Sequence, residues 1–483
     1  MPSVGYAKRI RGPKMDKYKA MAKKVEFTSK VGLIAATVGS AVGLGNIWRF
    51  PAETQANGGA AFLIIYILCV FILGIPVMTA EFSLGRAGHS DAVGAFKNTG
   101  ARKPWWTVGF LSVLASYMIL CFYMVVAGWT FEYLWQSITG NLYEANALRA
   151  TGTPGAQGIE ATTDFGIKMQ QYTGTVFNPL INTFIVILIN LGVLITGVQK
   201  GIERISNILM PLLFVILLVF CGFSLTLPKA GEGLAFFLQP DFSKIGTDTV
   251  LNALGQAFFS LSLGMGILIT YSAYFPKDAR LGRTAVTVSL LDLLVAVMMG
   301  LIIFPAVMSF GLDGESIKGA TLVFVTLPEV FAQMPATELW STLFFTLLFV
   351  AALTSTISIA EVSVRFWQDR FKLTRAKACM AVLVPLFAFS TLCSLSQGPL
   401  SDVKIFGFTI FDFLDNLATN IFLPVVAIGI CLYVGWFAPK GLLRDQLTNE
   451  GTLKGGAYRL LRVLIRYVAP VLIAFVLVSY FVK

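Results

Sequence analysis

The sequence is poor in charge and in the side chains that usually do chemistry. Only 13% of its 483 residues are Asp, Glu, Lys or Arg, against about 25% in soluble domains. A soluble chain of this length could not bury the 56% of residues that are hydrophobic, so lipid must solvate much of the surface. The one histidine, His89, reads as a loop residue and cannot build a metal centre or a triad by itself. Cys69, Cys121, Cys221, Cys379, Cys393 and Cys431 all fall in apolar runs, and their spacing suits neither a disulfide framework nor a zinc site. There is no G-x-x-x-x-G-K-[ST] loop, no H-E-x-x-H and no nucleophile beside a base. An ATP-driven or enzymatic reading therefore has no support, which leaves ion gradients as an energy source. The alternating pattern of porin strands is also missing, so helices are the only way to span lipid with every backbone group paired.

Apolar runs of the length that crosses a bilayer recur along the chain. They place helices at 31–55, 61–87, 107–137, 176–197, 204–227, 249–275, 284–311, 337–370, 374–395, 404–437 and 458–482. Nine Lys and Arg residues crowd the first thirty positions, from Lys8 to Lys30, and more follow in alternate connections at Arg102, Lys103, Lys277, Arg280, Arg283, Arg370, Lys372, Arg375 and Lys377. The positive-inside rule then puts the N-terminus in the cytoplasm and, after eleven spans of an inner (plasma) membrane, the C-terminus outside. The net charge of +11 is a consequence of topology and not of nucleic-acid affinity. No apolar core precedes residue 31, so the basic N-terminal segment is not a cleavable signal. The loop 312–336 contains TLVFVTLPEVFAQMP, too apolar for a solvated tether, and is expected to pack down as an outer cap.

Two spans are interrupted alike. The first contains Gly39-Ser-Ala-Val-Gly43-Leu-Gly45-Asn46 and the sixth Ser260-Leu-Ser-Leu-Gly264-Met-Gly266. Each opens a set of five helices, giving a cytoplasmic segment 1–30, halves 31–227 and 228–437, and a loop with helix eleven at 438–483. Glycines here could merely let helices pack closely. Matched breaks also point to an inverted repeat with a binding site near the bilayer midplane, and the polar neighbours tip the balance. Asn46 and Arg49 lie just past the first break, and Gln256, Phe259, Ser260 and Ser262 surround the second. Asp292 stands alone in SLLDLLVAVMMG, and a buried carboxylate needs a cation or a proton. The run Thr354-Ser355-Thr356 is weaker evidence, since such hydroxyls often bond their own helix.

These residues carry a resemblance. GSAVGLGNIWRFP followed by NGGAAF, with KGIER, GQAFFSLSLGMG, TLPEVF and LTSTISIAE, is similar to the bacterial neurotransmitter:sodium symporters of the LeuT fold, from about residue 24 to the end. The resemblance implies an all-α membrane protein and sodium-coupled uptake of amino acids. It implies a first sodium held by Ala41, Asn46, Ser260 and Asp292 with the substrate carboxylate, and a second held by Gly39, Val42, Ala351, Thr354 and Ser355. The substrate would lie among Ser40, Ala41, Leu44, Gly45, Ile119, Tyr123, Phe259, Ser260, Ser262, Met265, Ser355 and Ile359. Tyr123 and Phe259 would close over it beneath an Arg49–Asp415 pair, and Lys24 with Asp369 and Tyr274 would form the inner gate. Lys24 replaces the family's usual arginine and Phe27 its usual tryptophan.

Chloride-dependent members carry Asn and Ser where this chain has Asp292 and Ala296, which implies chloride independence and proton antiport. Monoamine carriers place an aspartate at Gly43, so glycine implies a substrate with its own carboxylate. Flexible Met265 implies room for large or aromatic side chains. Gly201 and Pro211 have the spacing that relatives use to unwind the fifth helix, or that a static kink would use. Glu81 reads as a hydrogen-bond partner behind the site. A sodium-dependent receptor or a channel of the same fold is the alternative, though a channel would want a continuous polar stripe.

Overall fold

The computed structural model describes residues 26–101, 104–143, 164–311 and 319–482. The spans fall close to where the apolar runs predict them. They are α1a (Lys30–Ala41) and α1b (Gly45–Ala56), α2 (Ala60–Gly88), α3 (Trp106–Thr139), α4 (Phe177–Ile195), α5 (Val198–Ser224), α7 (Leu281–Phe310), α8 (Thr337–Phe371), α9 (Arg375–Leu395), α10 (Ile410–Phe437) and α11 (Tyr458–Phe481). The sixth is split into α6a (Thr247–Ser260) and α6b (Ile267–Ser272). Residues of α8 and α3 are mostly buried by protein, whereas α4, α5 and α11 expose apolar side chains such as Ile181, Val215 and Val471. Those exposed residues meet lipid, which removes the cost that water would impose.

Both interruptions are real breaks. α1a ends at Ala41, Val42 turns extended, and α1b leaves at 55°. Asn46 stabilises this corner by accepting the Gly43 N–H at 3.3 Å. In the second break Ser262, Gly264 and Gly266 all have positive φ, of 54°, 78° and 74°. Glycine takes that conformation at little steric cost. Ser262 does not, but its hydroxyl donates to the Ser40 carbonyl at 2.8 Å and thereby ties one break to the other. The Gly264 N–H donates to Glu81 Oε1 at 2.8 Å, the supporting role expected of that residue.

Three segments depart from or refine the expectation. Helix α10 starts at Ile410 and not at 404, because Lys404–Ile405 and Phe408–Thr409 pair as an antiparallel hairpin. Phe406 and Gly407, with φ of 51° and 87°, form its two-residue turn, and Thr409 caps α10 by accepting the Asp412 N–H. The loop helix Gly319–Ala332 packs down as expected, with Phe324 against Trp48, Trp129 and Tyr133. Helix α5 is wound throughout: a π-helical turn, Val198–Glu203, leads into a regular helix that runs through Pro211.

Candidate ion and substrate site

The two breaks enclose a buried polar cluster. Asn46 Nδ2 donates to Asp292 Oδ1 at 2.9 Å, to the Asp292 carbonyl at 3.2 Å and to Ser260 Oγ at 3.1 Å. Ser260 Oγ donates to Asp292 Oδ2 at 2.7 Å. All three residues are buried, and among the described residues no Lys or Arg pairs with Asp292. A carboxylate buried without a cation is costly. The carboxylate, hydroxyl and carbonyl oxygens are ligands that a hard cation takes, while Asn46 turns its amide nitrogen toward Asp292 and its Oδ1 toward the Gly43 N–H. Gln256 braces the corner from α6a by donating to the Gly45 carbonyl at 2.9 Å.

A second oxygen-rich group lies between the first break and α8. Ser355 Oγ donates to the Val42 carbonyl at 3.4 Å, and Thr354 Oγ1 bonds the carbonyls of Val350 and Ala351 at 3.1 Å each. Gly39 sits against Thr354, whose Cβ lies 3.3 Å from where a Cβ at Gly39 would be. The structure thus brings Gly39, Val42, Ala351, Thr354 and Ser355 into one place.

Tyr123 reaches the first break from α3, and its hydroxyl accepts the Leu44 N–H at 3.2 Å. Gly43 is tightly enclosed: a Cβ there would lie 2.8 Å from Ser355 Oγ and 3.0 Å from the Tyr123 hydroxyl, so one of them would have to shift. Ser40, Ala41, Ile119, Met265 and Ile359 are all buried, and the Met265 carbonyl accepts the Ser116 hydroxyl. A cavity of about 370 Å³ opens at the α1b end, away from the start of α1a, with Leu44, Gly45, Tyr123 and Phe259 among its lining residues.

Arg49 and Asp415 both line that cavity but do not form the expected pair. Arg49 is held instead by Glu53 one turn on, at 3.8 Å, and by the Phe259 ring, whose centroid lies 4.9 Å away. Both charges face the same cavity, but no ion pair joins them directly.

Among the described residues, the face where α1a begins is closely packed. Phe27 inserts between Tyr271, Tyr274 and Phe275, with ring centroids 6.0–6.4 Å away, and its N–H donates to the Tyr274 carbonyl. Lys24, the expected partner of Asp369, lies outside the described residues. Asp369 is satisfied by Arg365 Nε at 2.9 Å, the Ser90 hydroxyl at 3.0 Å and the Asp91 N–H at 2.9 Å. Burial pushes the neighbouring Asp91 carboxyl above the ordinary range, and Arg370 opposes the shift. The Tyr274 hydroxyl donates to Glu361 at 2.8 Å, and Arg375 grips the same carboxylate through two nitrogens. Arg365 and Glu361 were not singled out from the sequence. An i,i+4 Arg–Asp spacing and a lone acid deep in a span were the available signals.

Helices broken at matched positions around a buried carboxylate and hydroxyls define a membrane carrier and not an enzyme. The comparisons agree. The family model described as "Sodium:neurotransmitter symporter family" matches residues 24–179 and 163–483. An uncharacterized sodium-dependent transporter of Bacillus subtilis, YhdH, is 35% identical over 95% of this chain and 98% of its own length. Another from Methanocaldococcus jannaschii is 33% identical over 89% and 86%. The crystal structure of MhsT in complex with L-phenylalanine superposes with a TM-score of 0.83 at 40% identity, covering 94% of this chain and 99% of that one. The chain belongs to the sodium:neurotransmitter symporter family and has the LeuT fold.

Proposed function

We propose that the protein carries hydrophobic or aromatic L-amino acids into the cell with sodium, by alternating access, with its N-terminus in the cytoplasm. The observation that carries the reading is the Asn46–Ser260–Asp292 cluster, buried between two broken helices with no cationic side chain among the described residues paired to it. One sodium would join these side chains to the Ala41 carbonyl and the substrate carboxylate, so that each ligand completes the other's site and their binding is reciprocally coupled. A second sodium would be held by the carbonyls of Gly39, Val42 and Ala351 with the hydroxyls of Thr354 and Ser355. With the start of α1a on the cytoplasmic side, the cavity at the α1b end and the close packing around Phe27 are what an outward-facing state would have. The two halves, 31–227 and 228–437, are the repeats that would rock about the site.

The substrate follows from what the pocket can offer. The Tyr123 hydroxyl accepts one N–H and retains its own proton for a carboxylate. With glycine at position 43, no carboxylate stands there to pair a substrate amine. Ile119, Met265 and Ile359 give an apolar wall, and the L-phenylalanine bound to MhsT supports that choice. In a competition panel, tryptophan, phenylalanine, tyrosine and leucine should displace a bound hydrophobic amino acid at micromolar levels, on the order of 100-fold below glycine or serine. Displacement by glycine and polar amino acids alone would refute the apolar pocket.

Asp292 supplies a fixed negative charge where Ala296 offers no hydroxyl to an anion. Uptake should therefore proceed unchanged when chloride is replaced by gluconate, with Asp292 carrying a proton on the empty return step. Uptake that disappeared in gluconate would contradict this.

A further inference from the structure

Glu203 ends the π-helical turn that opens α5 and is buried. Its Oε1 accepts the Thr28 hydroxyl at 2.7 Å, the Ser29 N–H at 3.0 Å and the Ser29 hydroxyl at 3.0 Å, and its Oε2 accepts the Thr28 N–H at 2.9 Å. Among the described residues no Lys or Arg pairs with it. Its charge is balanced by four donors and by the positive end of a helix that is not its own.

That helix is α1a, which has no acidic residue in its first turn. Ser29 is its N-cap and accepts the Gly32 N–H at 2.9 Å, while passing its own hydroxyl proton to Glu203. Anionic groups stabilise helix N-termini through the unpaired N–H groups and the macrodipole. Here α5 provides that group from a distance of more than 170 residues along the chain. Gly32 makes the approach possible, since a Cβ there would collide with the Glu203 carboxylate. The same turn of α5 holds the segment before α1a as well, because Gln199 donates to the Glu26 carbonyl at 2.7 Å. Higher up, Met210 of α5 lies against Gly39, its Sδ 3.4 Å from where a Cβ would stand, beside the group assigned to the second sodium. Helix α5 therefore touches α1a at its first turn and again at Gly39.

We propose that Glu203 is the latch that keeps α1a closed on the cytoplasmic face, and that it acts as a positioning residue for release of sodium and substrate. This rests on the alternating-access reading above. When α1a swings away, Glu203 loses four donors at once and must take up water in their place, a cost borne only by the inward-open state. The latch thus favours the outward-facing state, in which sodium binds. Sodium bound between α1 and α8 holds the same helix shut from its other end.

The test is hydrogen exchange of the full-length protein in lipid nanodiscs, followed by mass spectrometry in sodium and in potassium. Glu203→Ala should speed exchange across residues 30–41 about tenfold in potassium, leaving α3 and α8 unchanged. Glu203→Gln keeps the shape but turns an amide N–H₂ toward one of the donors, and should give a smaller increase, roughly threefold. Both variants should need more sodium than the wild type to protect that segment. Wild-type exchange in Glu203→Ala would overturn the latch. So would an equal rise in α3 and α8, which would mean general loosening. If the wild type showed no protection by sodium, the second ion site would be refuted instead, and the comparison in potassium would still decide the role of Glu203.

Discussion

Asp292→Ala is expected to abolish sodium-driven accumulation while leaving the helical fold intact. The carboxylate is bonded by both Asn46 and Ser260, so its loss orphans two buried groups as well as removing the charge proposed to face sodium. Breaking a buried charged network costs about 3–5 kcal/mol, which corresponds to a fall in sodium affinity of roughly 150- to 5,000-fold. Titrating sodium against amino-acid binding reads this directly. Asp292→Asn should also lose affinity in its own right. Combining it with Ala296→Ser supplies a neutral amide and a hydroxyl, and should restore uptake only when chloride is present. Wild-type sodium dependence in Asp292→Ala would remove the carboxylate from the ion site.

Gly43→Ala is expected to damage substrate and ion binding together. The added methyl would meet Ser355 Oγ and the Tyr123 hydroxyl at 2.8 and 3.0 Å. Those are the groups that bond the Val42 carbonyl and the Leu44 N–H. Overpacking of this kind costs about 1–3 kcal/mol, a roughly 5- to 150-fold loss of affinity. Equilibrium binding at saturating and at limiting sodium should show both constants weakened. A companion Ser355→Gly change should recover part of the substrate affinity but little of the sodium affinity, because it relieves the clash while removing a hydroxyl. Full activity in Gly43→Ala would mean that the pocket is wider than its walls suggest.

Much of this arrangement was legible in the sequence because lipid imposes strong rules. Long apolar runs had to be helices, and glycines at 43, 45, 264 and 266 marked where two of them break. Asp292 stood out because an acid in such a run has a price that only a function explains. Long-range pairings were less visible. No periodicity links Glu203 to Thr28 and Ser29, since trans-capping depends on how two helices pack and not on the spacing within either. The Arg49–Asp415 pair failed for a related reason: the resemblance gave partners, but their separation depends on whether the outer cavity is open. The start of α10 was misplaced because Lys404–Thr409 reads as apolar continuation, whereas Phe406-Gly407 turns the chain into a hairpin. Arg365 was passed over because the expected partner of Asp369 lay on the N-terminal segment, although a cation one turn away on the same helix was closer at hand.

The central claim is tested most directly by uptake of radiolabelled phenylalanine, tryptophan and leucine into proteoliposomes, with and without an inward sodium gradient. Sodium-coupled symport predicts accumulation above the external concentration that collapses when the gradient is removed and is absent in Asn46→Ala. Sodium-dependent binding of the same amino acids without accumulation would contradict it and leave a receptor with the carrier fold.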